Sequence, residues 1–273
     1  MVPRQSFANS TSTNISRIIL VRHGDRFDYA NPQWLTSAIK NGVIVTDPPL
    51  SALGHKQARE TADYLLNKLK CDNIQVDKIL VSPYVRTIQT AVPTSQVFGV
   101  HICIEEGLSE AHATPAILPL SKERFAYFPE VDPSYTSHLD VRPSLGHVCP
   151  KTQVPCEAFA CDYVKRIQRF ISLLEKEYAG QTVVLFSHAA SVAVVAGLLK
   201  CSLKGMKFAP CGVYYLERKC DGEWELIESG AYNEHVSENS PTTYPWGYEE
   251  RHFDQLDEMN LDYFVENIEK SNL

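Results

Sequence analysis

Two histidines and three arginines stand out as groups able to do chemistry together, because each lies at or shortly after the end of a short apolar run. Arg22-His23-Gly24-Asp25-Arg26 follows Ile18-Ile19-Leu20-Val21. Arg86 comes shortly after Lys78-Ile79-Leu80-Val81, and Ser187-His188-Ala189-Ala190-Ser191 follows Thr182-Val183-Val184-Leu185-Phe186. Guanidinium stays charged at every physiological pH and binds phosphate oxygens through paired donors. Free imidazole titrates near pH 6.5, and positive neighbours favour its neutral, nucleophilic form. The set therefore suits a dianionic phosphoryl group. His23 would attack phosphorus and carry a phosphohistidine, while Arg22, Arg26, Arg86 and His188 hold charge on the equatorial oxygens. The leaving group needs a proton, and Glu105, Glu106 and Glu110, after a third apolar run at His101-Ile102-Cys103-Ile104, include the candidate acid and base. Taken singly, each residue has a plainer reading: His23 as packing, Arg86 as a surface ion pair, the carboxylates as a solvated cluster.

Convergence depends on the elements behind these residues. Short, β-branched-rich runs read as buried parallel strands, and open α/β sheets bind ligands at strand C-terminal ends. The expected fold is α/β: a three-layer α/β/α sandwich around a mostly parallel sheet, with an inserted lid region. Ser51 is a natural N-cap for a helix to about Lys70, and Gly54 early in it implies close backbone approach. Ser82 as cap and Pro83 at the first helical position would set Arg86 in an opening turn, where it reinforces the positive helix end. Further helices are expected over Glu157 to Tyr178 and from His188 through Leu199. A hairpin around Asp221-Gly222 would extend one sheet edge. Phe27 to Pro49 shows no clear period and reads as a long loop that puts Asp28, Tyr29 and Trp34 on the rim of a substrate pocket, with packing an equally good reading for Trp34 and with Asp25 facing solvent.

The domain expectation is a flexible tail over 1–16, one domain over 17–235 with an insertion at about 112–155, and an acidic segment over 236–273. Net charge is −7, from 26 basic and 33 acidic residues, which disfavours a nucleic-acid surface. No run approaches a membrane span, and the first residues lack the basic-then-apolar order of a signal peptide, so the sequons at Asn9 and Asn14 read as accidental. Eight scattered cysteines read as reduced thiols, consistent with a cytoplasmic or nuclear setting. His138, His147, Cys149, Cys156 and Cys161 share a region but match no paired zinc spacing. No metal or cofactor is expected. The expected partner is a phosphorylated small molecule or a phosphotyrosine-containing substrate, with no nucleic acid and no membrane, and a homodimer left open.

Taken together, RHGDR at Arg22 to Arg26, LSALGHKQA at Leu50 to Ala58, SPYVRTIQTA at Ser82 to Ala91, EEGLSEA at Glu105 to Ala111 and SHAAS at Ser187 to Ser191 resemble the histidine phosphatase superfamily, in its phosphoglycerate mutase-like branch. The resemblance covers roughly Arg17 to Leu199. It implies His23 as nucleophile, Arg22, Arg86 and His188 as the phosphate clamp, and Glu110 as proton donor. Arg26 is most similar to the ecdysteroid-phosphate phosphatase and suppressor-of-T-cell-receptor-signalling group, and the last motif is similar to that of the phosphatase-like subunit of transcription factor IIIC. Ala189 and Ala190 depart from the glycine often found after the last histidine. The implied activity is metal-independent phosphomonoester hydrolysis. A mutase-type phosphotransferase, or a phosphatase-fold assembly subunit, are the alternatives.

Overall fold

The computed structural model describes residues 16–41, 47–111, 125–148, 155–157, 162–199, 207–230 and 234–240. A six-stranded sheet carries the fold. Its strands are β1 (Arg17–Arg22), β2 (Lys78–Val81), β3 (Ile102–Ile104), β6 (Thr182–Ser187), β7 (Val213–Arg218) and β8 (Trp224–Ser229), ordered β3-β2-β6-β1-β7-β8. The first four are mutually parallel; β7 pairs antiparallel with β1 and β8 antiparallel with β7, which forms the expected edge hairpin. A separate two-stranded ribbon joins β4 (His147–Val148) and β5 (Pro155–Cys156).

Strand side chains alternate between faces, so a sheet covered on both sides feeds two cores. Ile18, Leu20, Leu80, Val183 and Leu185 pack with α5 (Val164–Glu177) and α6 (Ala189–Leu198). Ile19, Val21, Ile79, Val81, Val184 and Phe186 pack against Leu65 and Leu69 of α3 (Ala52–Cys71) and Ile88 and Ala91 of α4 (Val85–Phe98). This is the three-layer α/β/α arrangement expected from the runs. No helix among the described residues is long and apolar enough to cross a membrane.

Several local expectations change. Phe27 to Pro49 is not wholly loop: α1 (Phe27–Ala30) and α2 (Trp34–Lys40) form within it. Both are short and mostly exposed, so no strong apolar stripe marks them in the sequence. Among the described residues α5 covers Val164–Glu177, and Glu157, the expected opening of this helix, lies outside it as a buried ion-pair partner of Arg166. Ser82 does not cap α4; Tyr84 holds that position. In the insertion, the described residues hold a 3₁₀ turn (Arg142–Ser144) and the β4–β5 ribbon. Cys149 and Cys161 of the weighed zinc group, the tail over 1–15 and the acidic segment from 241 onward lie outside the described residues.

Candidate active site

The strand ends meet because the ladders continue into the loops. His23 N–H donates to the Ser187 carbonyl at 2.9 Å, Ser82 N–H to the Phe186 carbonyl at 3.0 Å, and Glu105 N–H to the Val81 carbonyl at 2.8 Å. The turns bearing His23, His188, Ser82 and Glu110 thus leave one edge of the sheet side by side, and the rings of His23 and His188 sit 5.4 Å apart. All four clamp and histidine side chains, Arg22, His23, Arg86 and His188, are buried.

The loop carrying His23 is fixed from behind by backbone-to-backbone contact. A Cβ on Gly54 would lie 2.2 Å from the Asp25 carbonyl oxygen, and one on Gly24 would lie 2.8 Å from the Gly54 carbonyl oxygen. Only glycine at both positions lets α3 press its first turn against this loop, as expected for Gly54. Asp25 corrects an expectation. It does not face solvent: its carboxylate accepts from the Ser51 hydroxyl at 2.6 Å, and its own N–H donates to Gln57 Oε1 at 2.9 Å. Ser51 is also the expected cap, accepting from Gly54 N–H at 3.0 Å. Thr90 of α4 accepts from Gly24 N–H at 3.0 Å, which ties the loop to the helix that carries Arg86.

His23 Nδ1 lies 2.8 Å from the Gly24 carbonyl oxygen. A carbonyl can only accept, so Nδ1 carries the hydrogen and Nε2 keeps its lone pair. Burial, reinforced by Arg86, Arg22 and His188, holds the His23 pKa well below the ordinary imidazole value, so the ring is neutral at working pH. Arg22 donates to the Phe208 carbonyl. Burial lowers its pKa to about 10, which still leaves it charged near neutrality. Arg86 lies between Asp47, 3.5 Å from Nη1, and Glu110, 3.5 Å from Nη2, and its guanidinium stacks over Tyr84 at 4.4 Å. Its Nε has no hydrogen-bond partner among the described residues, an unusual state for a buried donor and one that an anion would relieve.

The three carboxylates after β3 are not a solvated cluster. Glu105 is fully buried and accepts from Ser137, His138 and Tyr135, anchoring the insertion. Glu106 accepts from Val141 N–H at 2.9 Å. Glu110 alone turns toward the histidines, with Oε2 3.1 Å from His188 Nδ1. Burial would raise its carboxyl, but His188 and Arg86 outweigh that and hold it down at about 2. Burial likewise lowers His188 to about 4 against the pull of Glu110. The backbone of this turn is braced by Arg166, which donates to the carbonyls of Gly107 at 2.7 Å and Ser109 at 3.2 Å while doubly paired with Glu157 at 2.6 Å.

Arg26, Tyr29 and Trp34 stand apart from this set. Arg26 donates twice to Asp28, at 3.0 and 2.7 Å, and its guanidinium lies 4.3 Å over the Tyr29 ring. It reaches the site as charge, adding to the positive field on Arg86 and His188. Tyr29 is half exposed, and Trp34 begins α2. Sequence reasoning missed Asp47, Gln57, Thr90 and the role of Ser82; no chemical motif marks them, although Gln57 lies within Leu50 to Ala58 and Ser82 and Thr90 within Ser82 to Ala91, the stretches that carry the family resemblance.

One ligand atom each from His23, Glu110 and His188 lies within 4.8 Å of the others, close enough to bracket a metal ion. The fixed charge of Arg86 against two of these three groups repels a cation and attracts an anion. The geometry suits a small dianion held against a neutral imidazole.

Residues 18–230 match the histidine phosphatase superfamily, branch 1. The chain belongs to this superfamily. It is 29% identical over 193 residues to the transcription factor tau 55 kDa subunit of Saccharomyces cerevisiae, a match covering 65% of this chain and 39% of that protein, so the chain spans about two-fifths of the relative's length. Among solved structures it is similar to the ecdysone phosphate phosphatase from Bombix mori, with 18% identity, a TM-score of 0.58 and coverage of 86% of this chain and 98% of that one. The Bacillus stearothermophilus protein YhfR follows with 18% identity, a TM-score of 0.50 and coverage of 81% and 99%. At these identities both structures speak for the shared fold.

Proposed function

We propose that this superfamily member is a phosphomonoester hydrolase that works through a phosphohistidine on His23 and needs no metal. The observation that carries this is the Nδ1–H to Gly24 carbonyl bond, which leaves Nε2 of a neutral, buried imidazole as the free nucleophile beside Arg22 and Arg86. In the first step Nε2 forms the bond to phosphorus as the ester oxygen departs, and Glu110 gives that oxygen its proton. In the second, Glu110 as carboxylate takes a proton from water, whose oxygen displaces His23 and releases inorganic phosphate. Glu110 rests ionised at about 2. A phosphoryl dianion arriving beside it raises that pKa by like-charge repulsion, so substrate binding itself brings the acid toward its working range.

Arg22 and Arg86 hold the equatorial oxygens, His188 stands beside them against Glu110, and Arg26 contributes long-range charge. The substrate class is a phosphorylated small molecule or a phosphotyrosine-containing peptide, received past Tyr29 and Trp34. Turnover of p-nitrophenyl phosphate in EDTA tests the reading. Activity by the wild type and its loss in a folded His23→Ala variant is the expected result; an inactive, folded wild type across mildly acidic to neutral pH overturns it. The second reading, an assembly subunit, is favoured by the similarity to a transcription factor subunit. It predicts a co-purifying complex that persists in His23→Ala.

A further inference from the structure

Ser82 has no part in the reaction just described, yet its hydroxyl lies 2.8 Å from His188 Nε2 and is fully buried. The other ring nitrogen, Nδ1, faces two groups of opposite demand. Glu110 Oε2 is 3.1 Å away and, as carboxylate, accepts only; Arg86 Nη2 is 3.2 Å away and donates only. Two other rings flank it, Tyr84 edge-on at 4.9 Å and His23 at 5.4 Å, and Arg26 acts on it as charge. A neutral His188 carries a single hydrogen, and its position decides which of the two demands is met.

With the hydrogen on Nδ1, His188 donates to Glu110 while Arg86 Nη2 faces the same carboxylate at 3.5 Å, so the anion is served twice. With the hydrogen on Nε2, the Nδ1 lone pair sits against the carboxylate oxygen, and one cationic contact must compensate for that repulsion. The first arrangement requires a donor to the Nε2 lone pair. Ser82 supplies it, being placed there by the β2–β6 ladder that carries Ser82 N–H to the Phe186 carbonyl.

We propose that Ser82 is a positioning residue that locks His188 in its Nδ1–H tautomer and thereby governs the proton of Glu110. Two consequences follow for catalysis, and both rest on the phosphatase reading above. An Nδ1 that already bears hydrogen cannot absorb the Glu110 proton, so that proton is reserved for the leaving oxygen. The same N–H stabilises the carboxylate, so removing it raises the Glu110 pKa. Ser82→Ala should therefore lower kcat with KM little changed, and move the alkaline limb of the rate profile to higher pH. A residue that merely supports packing would leave that limb in place.

The deciding measurement is ¹⁵N NMR of imidazole-labelled full-length protein near neutral pH, which reads the His188 tautomer without reference to activity. Wild type and Ser82→Thr, which keeps the hydroxyl, should show Nδ1–H and a bare Nε2. Ser82→Ala should shift toward Nε2–H or a mixture. A wild-type spectrum with Nε2–H overturns the proposal even where Ser82→Ala fails to fold, as does an unchanged tautomer in a folded Ser82→Ala. An inactive protein with the expected tautomers would defeat the phosphatase reading and leave the Ser82–His188 coupling standing.

Discussion

His23 and His188 follow adjacent parallel strands paired Arg22 to Ser187, and each comes after an apolar run of similar length. Their surroundings nevertheless make them different reagents. His23 spends one nitrogen on a backbone carbonyl and keeps the other for a ligand, in a field of guanidinium charge that keeps it neutral. His188 has both nitrogens engaged, by Ser82 on one side and by Glu110 and Arg86 on the other. The pair shows that nucleophilicity here comes from what a ring nitrogen lacks: a protein partner and a proton.

The largest effect expected from breaking this contrast is at His23. His23→Ala should reduce kcat for p-nitrophenyl phosphate by about 10⁴-fold or more, and rapid acid-free quenching should trap label on the wild type but not the variant. Glu110→Gln comes next. Its kcat should fall on the order of 10²–10⁴-fold for an alkyl phosphate, whose leaving oxygen needs the proton, and far less for p-nitrophenyl phosphate, whose does not. Equal losses on both esters would remove Glu110 from the acid role.

Gly54→Ala attacks the support rather than the reagents. Its new Cβ meets the Asp25 carbonyl at 2.2 Å, so either loop or helix must shift. A loss of about 1–3 kcal/mol in urea denaturation is expected, together with a fall in kcat as the His23 loop moves. The resting histidines also predict how stability depends on pH. His188 titrates near 4 in the fold against about 6.5 unfolded, so the unfolded chain binds the extra proton in that interval. Stability should fall as pH drops from 6.5 toward 4, and His188→Gln should flatten that slope. Smallest is Arg26→Ala. Because this arginine is already paired with Asp28 and partly solvated, KM should change by no more than about fivefold.

That last expectation qualifies the sequence reading of the opening pentad. Arg26 drew attention by its type and place, but its nearest partner is Asp28, two residues on, and α1 brings that carboxylate and Tyr29 round to it. Asp25 drew none, yet it anchors the loop, because its partners are Ser51, the cap of α3, and Gln57 within α3, 26 and 32 residues away. Apolar runs announced the strands; no pattern announced that Glu105 and Glu106 would turn inward to hold the insertion while Glu110 turned to the histidines.

Residue type and local period were enough to establish the parallel strands, the Ser51 cap, the tight approach at Gly54 and the set of cationic and imidazole groups at strand ends. Those depend on short-range sterics and on hydrophobic alternation, which neighbouring residues carry among themselves. Only the tertiary structure decided which nitrogen of His23 is free, which carboxylate faces the histidines, and how Ser82, Asp47 and Arg166 hold the rest in place. Hydrogen-bond partners and burial are properties of pairs distant in the chain, and a parallel sheet brings such pairs together only once its crossovers have closed.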